Sequence, residues 1–185
     1  MSSEEVGTLK AEIAALAQQV AALTQQVGQQ EAALLAKKSF VPDEYGWVLL
    51  LAGAGFFITS AMLGGPVMNA RKQYNVPLPN LYATPGYHDK AEAFNRVQRG
   101  HQNMFETLSC VITMTLIGGL AYPRVASLIG LSYCVGNWGY MKGYMNMEKD
   151  VAGARYTHPL AFLKPVGMMG SMILSIVACV GMIRA

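Results

Sequence analysis

The sequence predicts an all-α protein, a four-helix transmembrane bundle carried behind an N-terminal coiled-coil helix, with the division falling between residues 1–38 and 39–185. Three observations predict it. The chain is 52% hydrophobic and only 14% charged over its 185 residues. Beyond residue 44 the apolar residues gather into runs of about 20, the length a bilayer core of about 30 Å demands. Before that point the chain is polar and repeats with a heptad period.

Charge and cysteine usage exclude several classes of function. A net charge of +3, with the Lys and Arg dispersed, does not make the clustered basic face that a nucleic acid requires. Cys110, Cys134 and Cys179 all fall inside apolar runs at spacings that fit no zinc or disulfide framework. They are expected as small buried residues of the bundle, and no metal site is expected. The opening MSSEEVGTLKAEIAALAQQV is too polar for a secretory leader. With Glu4, Glu5 and Glu12 against Lys10 it is also too acidic for an organellar transit peptide.

In the N-terminal segment, Val6, Leu9, Ile13, Leu16, Val20, Leu23 and Val27 alternate spacings of three and four. This is the seam of a coiled coil, with β-branched residues at a and Leu at d. The residues between are mainly Ala and Gln, good helix formers that specify a partner weakly through ion pairs. Self-association is the expectation. The pattern degrades after Val27, and Pro42 breaks the chain before an expected interfacial pair, Tyr45 and Trp47.

The first membrane helix is predicted from about Tyr45 to Ala70, with a kink at Pro66 that neighbouring helices can absorb. The following loop holds Pro77, Pro79 and Pro85 and is expected to be extended. A second helix is predicted from Ala91 to the turn at AYPR, a third from about Val125 to Met147, and a fourth from about Leu160 to Ile183. Gly139 and Gly143 on the third, and Gly167, Ser171, Ser175 and Cys179 on the fourth, form small-residue stripes that let helices approach closely.

Basic residues set an expected sidedness. Arg71, Lys72, Lys90, Arg96 and Arg99 cluster around one polar loop, and Lys142, Lys149, Arg155 and Lys164 around the other. Lys37, Lys38, Arg124 and Arg184 stand on the opposite side. By the positive-inside rule both polar loops face the cytoplasm or its equivalent, and both termini face away.

The chemistry concentrates at the loop-facing ends. Arg99, Asn103 and Glu106 stand at i, i+4 and i+7 on one helical face. Ionisable groups at such a depth face a bundle interior or a wet cavity, so the stripe is either an interhelical salt bridge or a ligand site. Asn137, Tyr140 and Tyr144 make a second stripe at the same depth, read either as an aromatic belt or as part of that site. Arg71 and Lys72 close the first helix at the same level. Together these groups suit a small anionic peptide: arginines for carboxylates, Glu106 for an amine, Asn103 and the tyrosines for peptide groups.

The string FNRVQRGHQN with Glu106 three residues on, YGWVLL, ARKQYNV, YPRVAS and YMKGY together resemble the microsomal glutathione transferase 3 branch of the membrane-associated eicosanoid and glutathione metabolism (MAPEG) family, over about residues 44 to 183. The resemblance implies a homotrimer in the endoplasmic reticulum or another organellar membrane, with glutathione as co-substrate between protomers. It assigns the glutathione contacts to Arg71, Arg99, Asn103, Glu106, Tyr140 and Tyr144, with His101 and Gln102 lining the site. Thr107 stands where leukotriene C4 synthase-like members have a further tyrosine.

Such members also place an arginine seven residues beyond the second tyrosine, and here that position is Val151. Lys149 and Arg155 flank it as candidate catalytic cations. Arg155 is favoured because a guanidinium keeps its charge when partly desolvated. Two functions are expected from this set. One is a glutathione transferase or peroxidase acting on lipophilic electrophiles or lipid hydroperoxides. The other is a weakly active or inactive scaffold or accessory subunit of a larger membrane complex, favoured by the added coiled coil. A channel or transporter is disfavoured, since no broken helix or internal repeat is visible.

Overall fold

A computed structural model describes residues 3–37 and 41–184. The chain divides into two units, Met1–Phe40 and Val41–Ala185, and each is taken by itself. The division expected after residue 38 lies outside the described residues.

The first unit is one helix, α1, Ser3–Lys37. It runs ten residues past Val27, where the heptad pattern fades, because the Ala, Gln and Leu that follow still favour helix. Ile13, Leu16, Val20, Leu23 and Val27 are each about 60% exposed, so the apolar seam is bare on the single chain.

The second unit is helical throughout its described elements. The first rod runs from Tyr45 to Gln73 as α2, Tyr45–Leu50, a π-helical turn at Leu51–Gly55, and α3, Phe56–Gln73. Its irregularity lies at the π turn, where two glycines and two alanines offer little side-chain packing, rather than at Pro66, which α3 absorbs without a break. The proline-bearing loop that follows is a series of turns with a cis Leu78–Pro79 bond. α4 spans Ala91–Ala121. α5 spans Pro123–Tyr144 with Pro123 in its first turn, where a missing N–H costs nothing. A short helix α6, Val151–Ala154, is capped by the Asp150 side chain accepting from the Gly153 N–H at 3.2 Å. A 3₁₀ turn at Pro159–Phe162 then leads into α7, Leu163–Arg184.

Among the described residues three helices are long and apolar enough to cross a membrane: Tyr45–Gln73, Ala91–Ala121 and Pro159–Arg184. α5 has the length but not the composition, for a structural reason. It is the most enclosed rod, and Tyr133, Asn137, Tyr140 and Tyr144 along it are buried against protein rather than lipid. Around it gathers the main core, with Phe56, Leu63, Val67, Phe94, Met104, Val111 and Met141.

Two expectations are corrected. Tyr45 and Trp47 do not make an exposed pair: Tyr45 is buried, and its hydroxyl donates to the Leu116 carbonyl at 2.8 Å, while Trp47 stays exposed. Only Cys134 of the three free cysteines is buried, and Cys110 and Cys179 face outward from the single chain. Cys179 is thus the end of the α7 stripe that buries Gly167, Ser171 and Ser175.

Glycines on α5 set how the last part of the chain lies. A Cβ at Gly136 would sit 2.0 Å from the Lys164 backbone nitrogen, one at Gly139 2.6 Å from that of Ala161, and one at Gly143 2.5 Å from the Arg155 carbonyl oxygen. Residues 154–164 therefore run backbone against backbone along α5, which only glycine permits. That contact delivers Arg155 and Lys164 to the two tyrosines of the predicted site.

Candidate functional site

The Arg99, Asn103 and Glu106 stripe is present on α4, but it closes on itself. Arg99 pairs with Glu106 through both guanidinium nitrogens, the second at 3.4 Å. The Asn103 amide N–H donates at 3.1 Å to Glu106 Oε2, the oxygen that the second guanidinium nitrogen also reaches. The expected interhelical bridge is thus an ion pair within one helix.

Lys164, from the first turn of α7, joins the same network. Its ammonium donates to the Asn103 side-chain oxygen, lies 3.5 Å from the Asn103 carbonyl, and sits over the Tyr140 ring at 4.2 Å from the centroid. Asn103 is therefore a bridge between Glu106 and Lys164, with both ends of its amide committed inside the protein. The resemblance assigned it to a ligand, and the sequence offered no sign of the lysine that holds it, 61 residues on.

Tyr140 and Tyr144 are buried and stack edge to face at 5.3 Å between ring centroids, and Tyr156 packs on Tyr140 in the same way. Arg155 faces this aromatic group. Tyr140 first, and then Tyr144, hold its guanidinium above the ordinary range, against the opposing pull of burial. Its Nε is buried and has no hydrogen-bond partner among the described residues, and neither has the Asn137 side-chain oxygen. Buried polar atoms are rarely left so.

Lys149 does not reach the tyrosines. It is exposed, and its contribution is its carbonyl, which accepts from Arg96 at 2.8 Å. Arg96 also donates to the Asn146 carbonyl at 2.6 Å and pairs with Glu92 at 2.7 Å. It is buried and staples the chain after α5 to the start of α4. Arg71 is likewise held elsewhere. It donates to the Asn80 carbonyl at 2.7 Å and lies 5.2 Å from the Phe94 ring centroid, so within one chain it organises the loop rather than the Arg99 cluster.

Other predicted neighbours divide between site and frame. Gln102 accepts from the Tyr82 hydroxyl, which brings the loop over the start of α4 beside Arg99. His101 stacks on Phe105 and comes up to Gly64 of α3, away from the tyrosines. Thr107 is within 2.7 Å of the hydroxyl of Tyr133, which also donates to the Met104 carbonyl at 2.9 Å. A phenol thus stands beside Thr107 after all, supplied from α5 rather than from α4.

Beside this network lies a cleft of about 540 Å³ lined by Tyr82, Pro85, Glu92, Asn95, Arg96, Arg99, Tyr144 and Val151. The volume falls in the range of about 300–1,000 Å³ usual for small-molecule sites. The position at which an arginine was expected, Val151, lines it, and Arg155 stands one helical turn beyond. In the tyrosine network the fixed cations Arg99, Arg155 and Lys164 outnumber the one carboxylate, Glu106. Such a site favours a ligand that carries net negative charge. Among the described residues no cluster of His, Cys, Asp and Glu could hold a metal.

A family model of the MAPEG family matches residues 47–184, which takes in the whole of this site and all four rods. With its apolar rods the chain is an integral membrane protein, and it belongs to the MAPEG family, the proteins of membrane-bound eicosanoid and glutathione metabolism.

Proposed function

We propose that the protein is a membrane-bound glutathione transferase with peroxidase-type activity, acting on lipophilic electrophiles or lipid hydroperoxides. The observation that carries this reading is the surplus of fixed positive charge, Arg99, Arg155 and Lys164 against Glu106, gathered about Tyr140 and Tyr144. Glutathione bears two carboxylates and one ammonium, and its thiolate form adds a further negative charge. The Arg99–Glu106 pair can open to take one carboxylate and the ammonium.

The chemistry asked of the site is modest. A free thiol has a pKa near 8.5, so only a few per cent is ionised at neutral pH. Arg155, with its unpartnered Nε beside the phenols, favours loss of the thiol proton to water, leaving the electron pair on sulfur. That sulfur then forms a bond to an electrophilic carbon as the leaving group departs. With a hydroperoxide it attacks the distal oxygen, giving an alcohol and a glutathione sulfenic acid that a second glutathione reduces to disulfide and water. Either partner reaches the site from lipid, while glutathione arrives from water.

A homotrimer goes with this reading. The exposed seam of α1 offers each chain a self-complementary surface, and tethering to a common base raises the effective concentration of the third helix.

A second reading, a scaffold or accessory subunit in a larger membrane complex, is favoured by one observation. Glu106 and Asn103 are already satisfied by Arg99 and Lys164 without any ligand. Calorimetry with glutathione on the detergent-solubilised protein, with its assembly mass measured on the same sample, separates the two. Saturable binding by a particle of three chains supports the enzyme. Arg99→Ala is expected to weaken that binding by about 2 kcal/mol, the low end for a charge partner because the side chain is part-exposed. Absence of binding to the wild-type particle leaves the scaffold.

A further inference from the structure

Between the first rod and α5 lie two grooves that share Leu131. One, of about 710 Å³, reaches from Trp47 and Arg124 to Leu131. The other, of about 310 Å³, goes on from Leu131 past Val135 to Trp138, with Met62 and Leu63 of the first rod opposite. Leu131, Val135, Trp138 and Lys142 stand at i, i+4, i+7 and i+11, one face of α5. Tyr133, Tyr140 and Tyr144 are each two residues from a member of that set and so lie on the far side of the helix. Lys142 closes the second groove: its ammonium is 5.6 Å from the centroid of the Trp138 ring, and His158 packs edge-on against the same ring at 5.1 Å. Lys142 is exposed, and among the described residues it has neither an ion pair nor a hydrogen bond. Contact with a ring face leaves the N–H donors of an ammonium free.

We propose that this furrow is a binding site for an anionic phospholipid, with the phosphate on Lys142 and one acyl chain laid along α5 as far as Leu131. The site is separate from the tyrosine network and does not rest on the glutathione reading. Three features commit it to this occupant. The eleven residues from Lys142 to Leu131 cover about 16 Å of helix, and one leaflet's share of the bilayer core is about 15 Å. The groove is lined by apolar side chains up to Trp138, and it admits a hydrocarbon chain rather than a second helix about 10 Å across. Lys142 has no carboxylate beside it, so a zwitterionic headgroup would bring an ammonium with nothing to meet, whereas a net anion is matched. The other end of the furrow differs, because Arg124 there is already neutralised by Glu44. By its basic loops the Lys142 end is the one expected on the cytoplasmic side, where the leaflet carries anionic lipid.

Melting of the full-length protein in detergent micelles, with dioleoyl phosphatidylglycerol or dioleoyl phosphatidylcholine added at equal mole fraction, tests the site. Phosphatidylglycerol is expected to raise the melting temperature more than phosphatidylcholine, and to stay bound to the protein in native mass spectrometry. Lys142→Gln is expected to lower phosphatidylglycerol affinity about fivefold, the worth of one lysine at an anionic headgroup, and to melt as wild type does without lipid. Val135→Phe, which fills the groove, is expected to weaken binding of both lipids. Equal stabilisation of wild type by the two lipids, or a preference that survives Lys142→Gln, would overturn the inference. So would equal stabilisation by glycerol 3-phosphate, which carries the anion without the chain. If neither lipid binds and Val135→Phe lowers the assembly mass, the furrow is an interface between copies of the chain and the lipid site is overturned.

Discussion

At the end of the membrane unit that carries Tyr144 and Lys164, glycines bring backbone onto backbone; at the other end, around Trp47 and Leu128, the first rod and α5 meet through side chains, with Val48 and Ala126 in one buried cluster. The close-packed end gathers three cations and a carboxylate near tyrosines. The open end leaves a groove of about 710 Å³ lined almost wholly by apolar side chains, with Leu50, Leu51, Ile58, Leu128 and Leu131 among them. Its charges are a single exposed pair, Arg124 with Glu44. The difference is physical in origin. Where α5 presents glycine it can be covered by another stretch of chain, water is kept out, and charge interactions gain strength. Where it presents Leu128 and Leu131 the side chains face outward, as lipid permits.

The same substitution made at each end should break the symmetry most sharply. Gly136→Ala sets a methyl group 2.0 Å from the Lys164 backbone nitrogen, and backbone cannot step aside as a flexible side chain can. The cost expected is about 3 kcal/mol or more, at the top of the range for overpacking. Gly53→Ala has open space, with nothing within 4 Å. It should be neutral or stabilising by up to about 1 kcal/mol through helix propensity. Thermal unfolding in detergent reads both. Equal tolerance at the two positions would mean that the 154–164 segment does not lie against α5 as described.

The two arginine–glutamate pairs give the smaller contrast. Glu44 is held below its ordinary carboxylate value of 4.5, chiefly by its hydrogen bonds to Arg124. A carboxylate depressed in the folded state contributes stability that is complete above the unfolded value and is lost as pH falls through the folded one. Glu44→Gln should therefore melt slightly below wild type at neutral pH and converge with it in acid below pH 4.5. The effect is small because the pair is exposed and screened. A gap between the two curves that persists in acid would contradict the assignment.

Much of this was legible in the chain. Apolar runs set three of the rods, α5 being the less apolar one, and the i, i+4, i+7 spacing placed Arg99, Asn103 and Glu106 on one face. Of the two cations flanking Val151, Arg155 faces the tyrosines and Lys149 is exposed, a placement that the spacing left open. What stayed hidden depends on contacts between distant segments. Lys164 read as one more basic residue near a helix end, since nothing local says that Gly136 will draw its backbone inward. That Tyr45 turns inward was hidden because the Leu116 carbonyl that accepts its hydroxyl is 71 residues away. The pairing of Arg99 with Glu106 was open for a different reason: spacing puts two groups on one face but does not decide whether they meet each other or a ligand.

The central claim is that the close-packed end gathers positive charge in order to ionise a bound thiol. Titration of the ultraviolet thiolate band of glutathione bound to the solubilised protein tests it most directly, in wild type and in Arg155→Ala. The account predicts a bound thiol about two pKa units below free glutathione, which lifts the thiolate fraction at pH 7 from a few per cent to more than half and caps the gain from ionisation at some tens of fold. In Arg155→Ala the value should return towards that of the free thiol, and turnover of an aromatic halide should fall by about that factor with little change in glutathione affinity. A bound thiol that titrates as free glutathione does would contradict the account.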